Sequence, residues 1–163
     1  MKKLIIFLLL SWIFTANTCK RIDSENCHYA IRFSNNTAMR LRVSSVYLSV
    51  YHSDPLDIEK KISILQPYTE IKSGEQDNQS ATFNRTCLEK VFKRDGYTDT
   101  VFVYIFDATI VENTSWDVIA KDYLVLKRYD LTLDDLQRLD WKITYPPTEA
   151  MKDVKQFPPY ENE

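Results

Sequence analysis

Glycine is nearly absent from this chain: Gly74 and Gly96 are the only two in 163 residues. Two isolated glycines cannot build a phosphate-cradling GxGxxG loop or a P-loop. Histidine is equally scarce, with His28 and His52 alone, and no HxxxH or CxxC spacing goes with them. Spacing therefore predicts no metal site and no cofactor. An excess of basic charge is also missing, since 21 Lys+Arg face 23 Asp+Glu. With no basic stripe, a nucleic-acid partner has no support. Nor does any apolar run reach the ~20 residues that a membrane-crossing helix needs.

The longest apolar run, Leu4 to Phe14, follows Lys2 and Lys3 and leads into Thr15-Ala16-Asn17-Thr18-Cys19. A basic start, a short hydrophobic stretch and a small or polar flank are the layout of a secretory leader. Residues 1–18 are read as that leader. Its removal takes two lysines, so the net charge falls from −2 to −4. The full chain is 44% apolar and 13% aromatic, too rich for a disordered protein, and what remains after the leader is long enough for one domain.

The three cysteines are Cys19, Cys27 and Cys87. An odd number in an exported chain asks for an explanation. Cys19 sits where a bacterial lipoprotein carries its acyl chains, which makes it the expected lipid attachment. Thr18 stands where Gly, Ala or Ser is usual, and the alternative is plain secretion with Cys19 unmodified. Lipidation leaves Cys27 and Cys87 as the expected disulfide in an oxidising compartment. Closing a loop of about 60 residues would add ~4 kcal/mol on the chain-entropy view. Residues 19–27 are read as a polar tether behind the lipid.

Beyond the tether the hydrophobic period is mostly that of strands. Tyr29, Ile31 and Phe33 alternate with polar neighbours, and so do Met39, Leu41 and Val43. Past Ser44-Ser45 the apolar phase shifts to Val46, Leu48 and Val50, which predicts a β-bulge or a bend. Ile62, Ile64 and Ile71 suggest short strands, and Ser73 to Ser80 a polar loop. Val101 to Phe106 is apolar on both faces, as in a covered central strand. Tyr123 to Tyr129 reads as a strand, and Trp141, Ile143 and Tyr145 as the last, stopping at Pro146-Pro147. Three short helices are expected: one capped by Thr86 with Glu89, one by Ser115, one by Thr132 with Asp135. The fold class is mainly β, an immunoglobulin-like β-sandwich over residues 28–147 with short helices in its connections. Residues 148–163 read as a Pro-containing tail without periodicity.

Several segments are specific enough to compare: Cys27-His28-Tyr29, Asn35-Asn36-Thr37, Tyr104-Ile105-Phe106-Asp107 and Thr114-Ser115-Trp116-Asp117. The run from Lys127 to Leu136 continues the series, with Trp141, Tyr145-Pro146-Pro147, Met151-Lys152-Asp153 and Pro158-Pro159-Tyr160. Together they resemble a group of small Bacteroides-type lipoproteins, over most of the chain after the leader. Loose lipoboxes such as Asn17-Thr18-Cys19 are similar to those of Bacteroidetes lipoproteins. The resemblance implies a bacterial envelope setting and a lipid on Cys19. It carries over no catalytic residue.

The chemistry-bearing residues have structural readings that outweigh the functional ones. A Cys27–His28 nucleophile pair is disfavoured because adjacent strand residues face opposite ways. Asp130, Asp134 and Asp135 lack the ladder of a calcium loop and suit helix capping. Trp116, Trp141 and the tyrosines suit a core better than a sugar platform. Asp99-Thr100-Val101 resembles a Bacteroidetes O-glycosylation acceptor at Thr100. Asn35, Asn78, Asn84 and Asn113 head Asn-x-Ser/Thr sequons, which matter only in a eukaryotic setting. No catalytic residue is assigned and the ligand-binding residues stay open. The expectation is a non-enzymatic binding or accessory module of the cell envelope, lipid-anchored, with the outer membrane favoured over the inner. Its partner is an envelope protein or glycan. The alternatives are an immunity-type inhibitor of an envelope toxin or hydrolase, and a glycan-active enzyme.

Overall fold

The computed structural model describes residues 23–49, 69–79, 85–95 and 97–161. Cys19, His52, Ile62, Ile64 and Asn84 lie outside the described residues, as do residues 1–18, the expected leader. Among the described residues the protein is mainly β, with seven strands in two sheets and four short helices. No helix among them is long and apolar enough to cross a membrane.

The strands are β1 (Arg32–Asn35), β2 (Leu41–Ser49), β3 (Thr69–Ile71), β4 (Tyr97–Asp107), β5 (Lys127–Thr132), β6 (Lys142–Tyr145) and β7 (Lys155–Phe157). One sheet has the order β3-β2-β4-β5-β7, and every pairing in it is antiparallel. The other is a parallel pair, β1 beside β6, with Phe33 opposite Ile143. The helices are α1 (Leu88–Phe92), α2 (Ala108–Asn113), α3 (Trp116–Lys121) and α4 (Leu133–Arg138).

The alternation in β4 explains the layering. Val101, Val103 and Ile105 point to a core shared with Leu41 and Val43 of β2 and Tyr129 and Leu131 of β5. Ile31, Phe33, Ile143, Trp141, Leu88 and Leu136 close that core from the side of the parallel pair. Tyr104 and Phe106 point the other way, to a smaller cluster with Ile119 and Ala120 of α3. Both faces of β4 are thus covered, as its apolar run predicts.

Several sequence expectations hold in detail. Thr132 and Asp135 form a reciprocal capping box at α4, with Asp135 N–H donating to Thr132 Oγ1 at 3.1 Å. Ser115 is the N-cap of α3, although its side chain makes no cap bond. Trp141 and Trp116 are both structural: Trp141 is buried, and Trp116 packs edge-on against Phe106 at 5.6 Å. Asn35 is fully buried, and its Nδ2 donates to Met39 O and Lys72 O, so that sequon is closed.

Other expectations are corrected. Helix α1 starts one residue later than a Thr86 cap requires: Cys87 is its N-cap, and Glu89 turns away to His28. Strand β2 keeps register through Ser44 and Ser45, and its irregularity falls between Tyr47 and Ser49. Tyr123 takes a left-handed φ of 50°, so β5 begins only at Lys127. Helix α2 has no apolar stripe to announce it; Asp107 caps it by accepting from Thr109 N–H at 2.7 Å. Residues 148–161 are not a loose tail. A 3-10 turn at Glu149–Met151 leads into β7, which pairs with β5 through Tyr129 and Gln156.

Candidate functional site

Two places gather chemistry. The first is built around α1. Ser24 and Cys27 exchange backbone hydrogen bonds, Ser24 N–H to Cys27 O at 2.9 Å and the reverse at 3.1 Å. The tight turn so formed presents Cys27, and Leu88 N–H donates to His28 O at 2.7 Å, docking the segment on α1. Part of the expected tether, residues 23–27, is therefore folded against the domain.

Glu89 is the hub of this place. His28 Nδ1 lies 2.6 Å from Glu89 Oε1, and the His28 backbone N–H donates to Oε2 at 2.9 Å. The Cys87 thiol donates to the same Oε2 at 3.0 Å. Burial works to raise the Glu89 pKa, but the His28 and Cys87 hydrogen bonds outweigh it and hold the carboxyl below its ordinary range. Burial, Cys27 and Glu89 push the Cys87 thiol up to about 11, with the Lys90 backbone N–H opposing them. The His28 ring stacks on Trp141 at 4.2 Å between centroids and 14° between planes. Trp141 and Asp140 both sit in the left-handed region, at φ 57° and 51°. That conformation costs a bulky residue about 1–2 kcal/mol, and here it turns the ring onto His28.

Cys27 and Cys87 are free thiols in this structure. The two Sγ atoms and a Glu89 oxygen all lie within 4.8 Å of one another. The two cysteines expected to pair are thus brought together. The sequence does not signal His28 beside them, because its contacts to Glu89 span 61 positions. A Cys27–His28 catalytic pair is not formed; His28 serves Glu89 instead.

The depressed Glu89 has a consequence in acid. Its contribution to stability is present above the ordinary carboxyl value of 4.5 and is lost as the pH falls through its lower folded value. Urea midpoints are expected to drop below about pH 4.5, and Glu89→Gln to flatten that decline. An unchanged acid slope in the variant would show that Glu89 is solvated when folded.

The second place is a cleft of about 680 Å³ where β6 and β7 end beside the start of β5. Tyr145, Pro146 and Pro147 form one wall, Pro158, Pro159 and Tyr160 the other, with Lys127, Glu149 and Glu161 between them. Both walls turn at cis peptides, Tyr145-Pro146 and Phe157-Pro158. Lys127 is buried, and its Nζ donates to Pro158 O at 2.8 Å, which ties down the second wall. Burial lowers the Lys127 pKa, against the pull of Glu161. Its volume falls within the range of small-molecule sites.

No protein-family model, curated protein or solved structure matches this chain.

Asp130, Asp134 and Asp135 do not converge on either place. Asp130 is buried in an ion pair with Arg128, and Asp135 caps α4. Tyr145-Pro146-Pro147 reads in the sequence as a strand end, whereas Pro158-Pro159-Tyr160 falls in the expected tail. That they face each other depends on β7, which no periodicity marked.

Proposed function

We propose that this chain is an extracytoplasmic, non-enzymatic binding module of the bacterial cell envelope, anchored through a lipid on Cys19. The observation that carries the binding reading is the cleft between the two Tyr-Pro walls. Tyr145 and Tyr160 bring aromatic rings to the lining, and Lys127, Glu149 and Glu161 bring charged groups. Rings beside a few polar groups suit a saccharide or an extended peptide of the envelope. Hydrolysis is less well served. A general-acid carboxyl needs an apolar, buried setting, whereas the Glu149 side chain is 84% exposed and lies 3.8 Å from Lys152. The leader and the resemblance to small Bacteroides-type lipoproteins support the address.

As to architecture, we read the two sheets as unequal layers of a small sandwich. The support is that Phe33 and Ile143 of the parallel pair share one core with Val103, Tyr129 and Leu131 of the five-stranded sheet. We also propose that Cys27 and Cys87 form a disulfide under oxidising conditions, their sulfurs already being neighbours.

The test is crosslinked capture from whole envelopes with the natively processed protein, reading proteins and released saccharides by mass spectrometry. One enriched species is expected, reduced at least about tenfold by Tyr160→Ala, since buried aromatic anchors carry much of a binding energy. Equal capture by the variant would remove the cleft as the site. A cleaved saccharide would replace binding with catalysis.

A further inference from the structure

We propose that, in the dithiol state, Cys27 Sγ, Cys87 Sγ and Glu89 Oε2 bind one thiophilic divalent cation of the Zn²⁺ class. Two thiolates and a carboxylate are a donor set that selects such an ion over calcium or magnesium. The three donor groups converge within 4.8 Å of one another. Donors around tetrahedral zinc, at about 2.3 Å for sulfur and about 2.1 Å for oxygen, sit roughly 3.5–3.8 Å apart, so only small side-chain shifts close the site.

The surroundings support the same reading. Cys87 and Glu89 share a proton across 3.0 Å, in the position that a cation bridging sulfur and oxygen would take. The second carboxylate oxygen is held by His28 Nδ1 at 2.6 Å, and that ring is fixed by its stack on Trp141. An outer partner of this kind orients a metal-bound carboxylate. Cys87 is buried while Cys27 is half-exposed, so the ion enters from the Cys27 side and water completes its coordination. Binding breaks two S–H bonds and releases two protons to solvent. No electron is transferred. Oxidation to the disulfide uses the same two sulfurs and removes both thiolates, so bond and metal are alternative states of one pair.

The experiment uses the full chain with Cys19→Ser, so that Cys27 and Cys87 are its only thiols, reduced and titrated with Co²⁺. One equivalent is expected to give thiolate-to-cobalt charge-transfer absorption that Zn²⁺ abolishes. Cys87→Ser should remove the band, and Glu89→Gln should weaken binding at least about tenfold while the band persists. Protein first oxidised with oxidised glutathione should show no band. Absence of the band, its survival in Cys87→Ser, or equal binding by the oxidised protein would overturn the proposal. Should the reduced chain be unfolded by circular dichroism, refolding on Zn²⁺ supports the site and continued unfolding overturns it.

Discussion

Asp130→Ala is expected to lower the unfolding free energy by about 3–5 kcal/mol, the range for stripping one partner from a buried ion pair. Arg128 and Asp130 point to the same face of β5, two residues apart, and their side chains are 4% and 3% exposed. The guanidinium meets the carboxylate through two bonds, Nε to Oδ1 at 2.7 Å and an Nη2 to Oδ2 at 3.1 Å. The guanidinium carbon lies over the Phe157 ring at 4.2 Å from its centroid and over the Phe102 ring at 5.9 Å. Burial works against the charged arginine, and Asp130 overcomes it, so the Arg128 pKa is raised.

Without Asp130 the cation keeps the hydroxyls of Tyr104 and Tyr123 and the two phenylalanine rings, all neutral partners, since burial raises both tyrosine pKa values. The reverse loss should be milder. In Arg128→Met, Asp130 retains Lys155 at 3.3 Å, whose side chain is 72% exposed and brings solvent with it. Replacing both residues together, Arg128→Met with Asp130→Leu, should cost less than Asp130→Ala alone, because no charge is left buried. Denaturant titrations of the three variants at neutral pH decide this. A cost below about 1 kcal/mol for Asp130→Ala would place the pair among solvated surface bridges.

Phe33→Ala should be comparably severe, about 3–5 kcal/mol, as for other large-to-small changes at fully buried aromatics. Phe33 is 0% exposed and sits in β1, opposite Ile143 of β6. Its backbone is fixed from both sides: Phe33 N–H donates to Asn78 O at 2.8 Å and Asn78 N–H returns the bond at 2.8 Å. A strand held this firmly cannot collapse into the space that the ring vacates, so the cavity remains and its cost is added to the lost burial. In a domain of this size each kcal/mol shifts Tm by roughly 2–4 °C, giving a fall of roughly 6–20 °C. Phe33→Leu keeps most of the volume and should lose less. Val118→Ala, at a side chain 41% exposed on α3, is the control and should stay within about 0.5 kcal/mol of the parent. If Phe33→Ala matched that control, the parallel pair would contribute little to the core.

The reading of elements from sequence succeeded where local chemistry is self-sufficient. Thr132 and Asp135 cap a helix whatever surrounds them, because both partners lie within one turn. Val101 to Phe106 is apolar on both faces because both are covered, and its β-branched and aromatic residues favour a strand over a buried helix. The reading failed where a distant partner overrides a local option. Glu89 could have completed a capping box with Thr86, but His28 and Cys87 offer it three hydrogen bonds. Strand β7 is three residues long and exists because β5 presents an unpaired edge to it. Its burial pattern of one buried residue between two exposed ones is too short to register as a period.

By itself, then, the sequence determined the mainly β class and the helix capped by Thr132, and its cysteine count offered Cys27 and Cys87 as a pair. These follow from period, capping distance and residue count, which are local or arithmetic properties. Tertiary structure alone decided that Glu89 and His28 stand beside the two sulfurs, and that two proline-bearing strand ends face each other across Lys127. The physical reason is the same in both cases. Hydrogen bonds and clefts between segments far apart in the chain depend on which edges pair, and a pairing is selected by the whole core at once.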